Sequence, residues 1–277
     1  MAVIRYAHSM HTTEPVLIDS HFHTDHMAAK GVDVGELFDS LFAGSFGGGI
    51  DIGLSPGDLA ERRRLLSPYA PISFAAGIYP GYAGKLAEGS SLEAIMRKLE
   101  DEVASEAPAA IGEIGLDWYW EYGTRELQEL LLIAQLELAN RYGLPVIIHN
   151  RDADGDIIRV LTEHPCERSG IIHCFSSGWE TARALLDLGY MISFAGNITY
   201  MRNHELRDTA AKVPADRLLL ETDSPYLAPV PLRGKVNTPA TMQYIYSCVA
   251  DVRNVDIGEL CGQIHANLLD VTGNRES

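Results

Sequence analysis

Six histidines and carboxylates lie at or just beyond the ends of short apolar segments, far apart along the chain. They are His21 and His23 after VLIDS, Glu113 within IGEIG, His149 after VII, His173 after GII, and Asp223 after LLLET. Neutral imidazole is the commonest protein ligand of borderline divalent cations, and carboxylates bind the same ions. Bound divalent ions lower the pKa of water, which can then attack an ester at neutral pH. If these side chains meet, the sequence predicts metal-assisted hydrolysis.

The pair His21 and His23 and the single Glu113 are the most informative members of this set. Residues two apart on a β-strand leave the same face, so both imidazoles can hold one ion. An isolated pair of this kind is about as often two satisfied polar residues near the surface. Glu113 lies in an otherwise apolar segment, where an unpaired carboxylate is costly to bury unless a cation compensates it. A metal bridge through Glu113 would supply that cation.

Asp223 has a second predicted role beside metal binding. A carboxylate at the last strand can ligate one ion and also accept the proton of an attacking water. We therefore predict Asp223, together with the bridging Glu113, as the catalytic carboxylates.

Eight apolar, β-branched segments alternate with helical segments and predict the elements that position these residues. The segments span 16–19, 48–54, 72–79, 109–117, 146–150, 170–175, 190–196 and 217–223. Continuous apolar runs suit parallel strands buried on both faces, and eight βα units indicate an α/β fold, a single (β/α)8 TIM barrel. The carboxyl ends of barrel strands face one mouth, so we expect the metal site there. Ser90 with Glu93 predicts one helix start, and Gly143 predicts a helix end.

Length and composition favour one domain. The chain has 277 residues, 46% of them hydrophobic, and we predict an N-terminal extension over 1–15 and the barrel over 16–272. No apolar run approaches the roughly 20 residues of a membrane span, and the first residues lack a secretory pattern. The expectation is a cytoplasmic protein with no membrane partner. The four scattered cysteines indicate neither a disulfide framework nor a thiolate zinc site.

The net charge of −16 opposes a broad surface that tracks phosphates, so a nucleic acid would need local basic groups. Arg151 and Arg233 are the best placed, although each is otherwise a solvated surface charge. The run 62–64 (RRR) could touch a nucleic-acid backbone but is more often an exposed helix face. The aromatic run 118–120 (WYW) could stack on an unpaired base or simply pack its loop.

Six motifs together resemble the TatD-like metal-dependent hydrolases of the amidohydrolase superfamily. They are DSHFHTD (19–25), GEIGLD (112–117), PVIIHNRDA (145–153), GIIHCFSSG (170–178), LETDSPYLAP (220–229) and RGKVNTPA (233–240). The resemblance runs in the family's order from about residue 16 to about residue 270. It implies a cytoplasmic (β/α)8 protein that acts as a metal-dependent deoxyribonuclease with 3′ to 5′ exonuclease action.

The resemblance also implies how two divalent ions are shared: one is held by His21, His23 and Asp223, the second by His149 and His173, and Glu113 bridges them. Imidazole-rich ligation favours Zn²⁺ or Mn²⁺, whereas the family's nuclease behaviour suggests Mg²⁺. The expected partner is DNA, single-stranded or at 3′ ends, or a small phosphate or ester substrate. The oligomeric state stays open.

One position departs from the family's pattern. The family usually has G-x-H-P after the third strand, and this chain has Gly77, Ile78, Tyr79 and Pro80. We expect Tyr79 to contact the substrate, where it can donate a hydrogen bond but carries no charge at neutral pH. Two alternatives to a nuclease therefore stay open: a hydrolase of a small ester, lactone or amide, and a catalytically silent metal-binding scaffold.

Overall fold

The computed structural model describes residues 15–273, and their centre is a barrel of parallel strands. The strands are β1 (Leu17–Phe22), β2 (Phe46–Ile52), β3 (Ile72–Ala76), β4 (Ala110–Asp117), β5 (Val146–Arg151), β6 (Gly170–Ile172), β7 (Met191–Phe194) and β8 (Leu218–Leu220). Each strand pairs in parallel with the next along the chain. The predicted (β/α)8 fold is confirmed.

Helices connect the strands and cover the outside of the barrel. The α-helices are α1 (Thr24–Ala29), α2 (Val34–Phe42), α3 (Leu59–Leu66), α4 (Ala83–Ala87), α5 (Leu92–Glu106), α6 (Arg125–Tyr142), α7 (Asp154–Glu163), α8 (Trp179–Asp187), α9 (His204–Lys212), α10 (Met242–Arg253) and α11 (Ile257–Thr272). Short 3₁₀ turns span Pro80–Tyr82, Gly196–Thr199, Ala215–Arg217 and Pro239–Thr241. In residues 15–273 no helix has the length and apolar character needed to cross a membrane.

The first and last strands meet at the carboxyl end of the barrel. The backbone N–H of His23 donates to the carbonyl of Ser224 over 2.8 Å, and that of Asp223 donates to the carbonyl of His21 over 3.0 Å. These bonds bring two distant segments, about 200 residues apart in the chain, side by side. They place the first histidine pair beside the last carboxylate.

The strands are apolar on both faces because both faces are covered. Ile147 and Ile148 are neighbours in β5 and therefore point to opposite faces, yet they are 1% and 0% exposed. One face packs inside the barrel and the other against the helices. This confirms the interpretation of continuous apolar runs as buried parallel strands.

Two predicted helix boundaries have different outcomes. Ser90 does not cap α5, because the N-cap is Ser91, whose side chain accepts from the backbone N–H of Ala94. Both serines precede the helix, and the backbone at Ser91 has the extended conformation of an N-cap residue. Gly143 ends α6 with a φ of 63°, the left-handed conformation that glycine adopts at little cost.

Almost all of the predicted N-terminal extension lies outside the described residues. The described part begins at Pro15, and its elements from β1 to α11 occupy the range 16–272 that we assign to the barrel. The division of the chain into an extension and a barrel domain stays a prediction.

Candidate metal centre

The structure brings the six predicted ligands together at the carboxyl mouth of the barrel. They come from β1 (His21), the residue after it (His23), β4 (Glu113), β5 (His149), the residue after β6 (His173) and the segment after β8 (Asp223). Most are deeply buried: His21, Glu113 and His173 are 0%, 3% and 4% exposed. The geometry thus permits a shared metal centre, and the ligand roles stay predictions.

Glu113 lies at the centre of the cluster, and each of its oxygens faces a different pair of imidazoles. Its Oε2 lies 3.4 Å from Nε2 of His21 and 3.6 Å from Nε2 of His23. Its Oε1 lies 2.8 Å from Nδ1 of His149 and 3.0 Å from Nε2 of His173. A carboxylate with this arrangement can contribute one oxygen to each of two cation positions.

Asp223 completes the first of these positions. Its Oδ1 lies 3.5 Å from Nε2 of His23 and 3.9 Å from Nε2 of His21. Ligand atoms of His21, His23 and Asp223 all lie within 4.8 Å of one another, as do those of His21, Glu113 and His173. Asp223 has a φ of 53°, an uncommon conformation for a residue with a side chain, of the kind that clusters at functional sites.

Hydrogen bonds on the outer side of the imidazoles determine which nitrogen points inward as an acceptor. Nδ1 of His23 lies 3.2 Å from the carbonyl oxygen of Ile52, which can only accept, so the proton is on Nδ1. The outer nitrogens of His149 and His173 face carboxylates at 3.2 Å. With the proton on the outer nitrogen, the inner nitrogen of each ring would be free to bind a cation beside Glu113. Imidazole nitrogens and carboxylate oxygens packed this closely need positive charge among them, supplied by protons or by a bound cation, and the donor set suits divalent ions.

The pKa values of the metal-free cluster also indicate that the buried carboxylates need positive charge beside them. Burial alone would lower the pKa of His173, but the charges of Glu113 and Glu221 outweigh it and raise that pKa well above its usual value. Burial would raise the pKa of Glu113, but His173 and His149 hold it well below its usual range. Without a metal, protonated imidazole balances the buried carboxylates. A divalent ion at this site would take the place of those protons.

Two carboxylates of the cluster were not among the predicted site residues. Glu221 is fully buried, and its Oε1 faces Nδ1 of His173 and accepts from the backbone N–H of Cys174 over 2.7 Å. Asp117 is also fully buried and faces Nε2 of His149. Both follow apolar strand residues directly, the signal that identifies Glu113, so the sequence contained a clue to them.

The predicted substrate residues lie around the mouth. The Tyr79 hydroxyl donates to Oδ2 of Asp117 over 2.9 Å, and its ring packs edge-on against His149. The exposed Arg151 guanidinium lies 4.0 Å from the centre of the Tyr119 ring, and that of the exposed Arg233 lies 4.2 Å from a second tyrosine ring. Neither arginine forms a salt bridge with a residue of the range 15–273. Their contacts with substrate stay predictions.

The three aromatic residues after β4, 118–120, lie in two different environments. The indole N–H of Trp118 donates to Asp156 of α7 over 3.0 Å, so this residue holds its loop against that helix. Tyr119 and Trp120 are 54% and 50% exposed and lie edge-to-face with ring centres 4.9 Å apart. The second and third rings therefore present the largest surface to a ligand, whereas Trp118 is only partly exposed.

The basic run on α3 is not a continuous exposed face. Arg62 is only 2% exposed, and its guanidinium forms ion pairs with Asp51 and Asp58. The Arg63 guanidinium donates to the carbonyl oxygen of Glu106 over 2.7 Å. The interpretation of this run as a contact for nucleic acid, or as a simple solvated face, is therefore wrong for Arg62, because its charge holds α3 against β2.

Comparison with known proteins extends over nearly all of the described chain. The sequence model of the family described as TatD related DNase matches residues 18–273. The uncharacterized metal-dependent hydrolase YcfH of Escherichia coli (strain K12) is 35% identical over 247 residues, covering 88% of this chain and 91% of YcfH. The uncharacterized metal-dependent hydrolase YabD of Bacillus subtilis (strain 168) is 30% identical over 246 residues, covering 88% and 94%. The crystal structure of YjjV, a TatD homolog from Escherichia coli K12, has a TM-score of 0.81 and 30% identity, covering 92% of this chain and 97% of YjjV.

Proposed function

Because the chain belongs to the TatD-related DNase family, we propose that it is a metal-dependent hydrolase that cleaves phosphodiester bonds of DNA from the 3′ end. The observation that carries this proposal is the position of Glu113, whose two oxygens face two separate pairs of imidazoles. That arrangement suits a pair of divalent cations, the requirement of many enzymes that hydrolyse phosphate esters.

Two groups of side chains would hold the cations. His21, His23 and Asp223 would hold the first, His149 and His173 would hold the second, and Glu113 would contribute an oxygen to each. Divalent ions bound there, Zn²⁺, Mn²⁺ or Mg²⁺, would lower the pKa of water and neutralise charge on the phosphoryl oxygens.

Asp223 is suited to accept the proton of the attacking water. Burial would raise its pKa, but the hydrogen bond from His23 and the charge of His173 lower it, so the carboxylate is ionised at neutral pH. Its side chain is 13% exposed, compared with 4% for Glu113, so Asp223 is the more accessible of the two from the mouth. With Oδ1 directed at the imidazoles, Oδ2 is the atom that takes the proton.

The rim of the mouth offers groups for a single strand. Arg151 and Arg233 supply positive charge for the scissile phosphate and its neighbour, and each is ordered by the face of a tyrosine ring. The exposed rings of Tyr119 and Trp120 can stack on a base only if that base is unpaired. Because the net charge is −16, binding would depend on these local groups, which favours a strand end over an extended duplex.

The test is degradation of labelled oligonucleotides by the full-length protein. With Mn²⁺ or Mg²⁺ added, a single strand labelled at its 5′ end should shorten stepwise from the 3′ end, and EDTA should stop the reaction. The Asp223→Asn variant is the control for a contaminating nuclease. If DNA stays intact while an aryl ester or lactone is hydrolysed, the nuclease proposal fails in favour of a small-ester hydrolase, an alternative that Tyr79 supports because it brings no cationic imidazole to the mouth.

A further inference from the structure

A buried carboxylate lies directly behind one of the predicted ligands. Oδ2 of Asp117 accepts from the Tyr79 hydroxyl over 2.9 Å and lies 3.2 Å from Nε2 of His149. Its other oxygen, Oδ1, accepts from the backbone N–H groups of Tyr119 and Trp120, both over 3.0 Å. Both oxygens are therefore held in place, and one of them is shared by a tyrosine and a histidine.

Two glutamines on α6 hold the backbone on either side of this contact. The amide of Gln128 accepts from the Asp117 N–H over 2.9 Å and donates to the Asp117 carbonyl over 3.1 Å. The amide of Gln135 accepts from the Ile78 N–H over 2.7 Å and donates to the Ile78 carbonyl over 3.0 Å. The glutamines are seven residues apart, about two helical turns, so they lie on one face of α6. One rigid helix thus fixes both Asp117 and the residue before Tyr79.

We propose that Tyr79 and Asp117 are positioning residues that hold His149 with Nδ1 directed at Oε1 of Glu113. This inference rests on the proposed function in taking His149 as a metal ligand. The Asp117 carboxylate accepts the Nε2 proton of His149, which fixes the tautomer and leaves the Nδ1 lone pair facing inward. Carboxylates placed behind ligand histidines in this way orient the ring and increase its basicity.

The tyrosine at position 79 affects the charge that acts on His149. Its hydroxyl donates a hydrogen bond to Asp117 and brings no charge, because a tyrosine hydroxyl is uncharged at neutral pH. A protonated imidazole at this position would instead neutralise the Asp117 carboxylate. With tyrosine there, the negative charge of Asp117 acts on His149 without a competing cation from residue 79.

The experiment measures Mn²⁺ binding to the metal-stripped, full-length protein by titration calorimetry, with electron paramagnetic resonance to detect a coupled Mn²⁺ pair. Wild type should bind two ions. Asp117→Asn should weaken one of them about 10–100-fold, and Tyr79→Phe should weaken the same ion about fivefold, with the other ion unchanged. Asparagine keeps the oxygen that accepts from Tyr119 and Trp120 but presents an amide to His149.

Tyr122→Phe is the matched control, because the Tyr122 ring packs edge-on against Tyr79 while its hydroxyl does not bond Asp117. It should bind both ions as wild type does. The inference is overturned if Asp117→Asn and Tyr79→Phe bind both ions normally, or if Tyr122→Phe loses as much affinity as Tyr79→Phe. If Asp117→Asn does not fold, Tyr79→Phe decides alone, since it removes one oxygen from a partly exposed side chain.

These measurements use no DNA, so they separate this inference from the nuclease proposal. Selective loss of one ion in a protein that leaves DNA intact would support the positioning roles and refute the nuclease activity. If the wild-type protein degrades DNA but all variants bind Mn²⁺ equally well, the nuclease activity would be supported and the positioning roles refuted.

Discussion

The two sides of Glu113 present the same ligand atoms in different surroundings. On the side of Oε2, two imidazoles are joined by a carboxylate, Asp223, that lies beside the cation position itself. The outer nitrogen of His23 meets the neutral carbonyl of Ile52, and Nδ1 of His21 has no hydrogen-bond partner within the described part of the chain. The carboxylate on this side therefore lies next to the inner nitrogens of the two imidazoles.

On the side of Oε1 the carboxylates lie behind the imidazoles. Asp117 faces the outer nitrogen of His149, and Glu221 faces that of His173, both at 3.2 Å. Both carboxylates are fully buried. The role open to a carboxylate therefore depends on where it lies. Beside a cation it can bind that cation and accept a proton, whereas behind an imidazole it can orient the ring as a ligand.

Glu113→Gln removes the group common to both sides and should have the largest effect. An amide offers one oxygen and no charge, so we expect loss of both ions and a fall in kcat of about 10⁴-fold. Metal analysis and DNA degradation measure the two effects. Glu102→Gln is the matched control, because Glu102 is a buried glutamate that instead accepts from backbone N–H groups near α3. Two bound ions in Glu113→Gln would contradict its bridging position.

Asp223→Asn tests whether the carboxylate beside His21 and His23 accepts the proton of the attacking water. We expect kcat to fall about 10³-fold, because the amide cannot accept the proton of water, while the ion held by His149 and His173 remains bound. Near-normal thermal unfolding would show that the fold is intact. Unchanged turnover in this variant would exclude Asp223 as the proton acceptor.

The pH dependence of metal binding tests the idea that cations replace protons. The pKa values of His173, His149 and His23 are raised above 6.5 in the metal-free cluster, because neighbouring carboxylates outweigh burial. Their stabilisation of the metal-free fold is therefore complete below pH 6.5 and is lost as pH rises through the raised values. We expect the Tm of EDTA-treated protein to fall over that range.

Mn²⁺ affinity should rise over the same range, since each ion displaces protons. Calorimetry in buffers of different ionisation enthalpy counts the protons released. Affinity that is constant between about pH 6 and about pH 8 would contradict the account.

Substitutions at the rim should have the smallest effect. Arg151→Ala and Tyr119→Ala should each raise KM for single-stranded DNA about tenfold and leave kcat within about twofold, because in the proposed function their main role would be to bind the strand. The control is Arg97→Ala, which removes an exposed arginine that pairs with Glu93 on α5. An equal rise in KM in the control would show only a general charge effect.

The sequence predicted the convergence of His21, Glu113 and Asp223 because the carboxyl ends of parallel barrel strands must share one mouth. It did not predict that Asp117 lies behind His149, since that depends on how β4 and β5 are aligned in the sheet. The sequence also does not reveal the direction of a side chain. We expected Tyr79 to contact the substrate, and its hydroxyl donates to Asp117.

Arg62 and Ser90 are two further residues whose surroundings the sequence pattern did not predict. The charge of Arg62 is buried because α3 packs its guanidinium against Asp51 of β2, a contact that the run of arginines does not reveal. Ser90 and Ser91 are adjacent, and spacing alone did not identify which of them adopts the capping conformation.

The central claim is that six side chains from distant segments hold two cations on either side of Glu113. Anomalous diffraction from crystals grown with Mn²⁺ tests it most directly, because it gives the number of ions and their ligands together. The account predicts two peaks, one beside Oε2 and Asp223 and one beside Oε1 and His149. A single peak, or peaks away from Glu113, would contradict it.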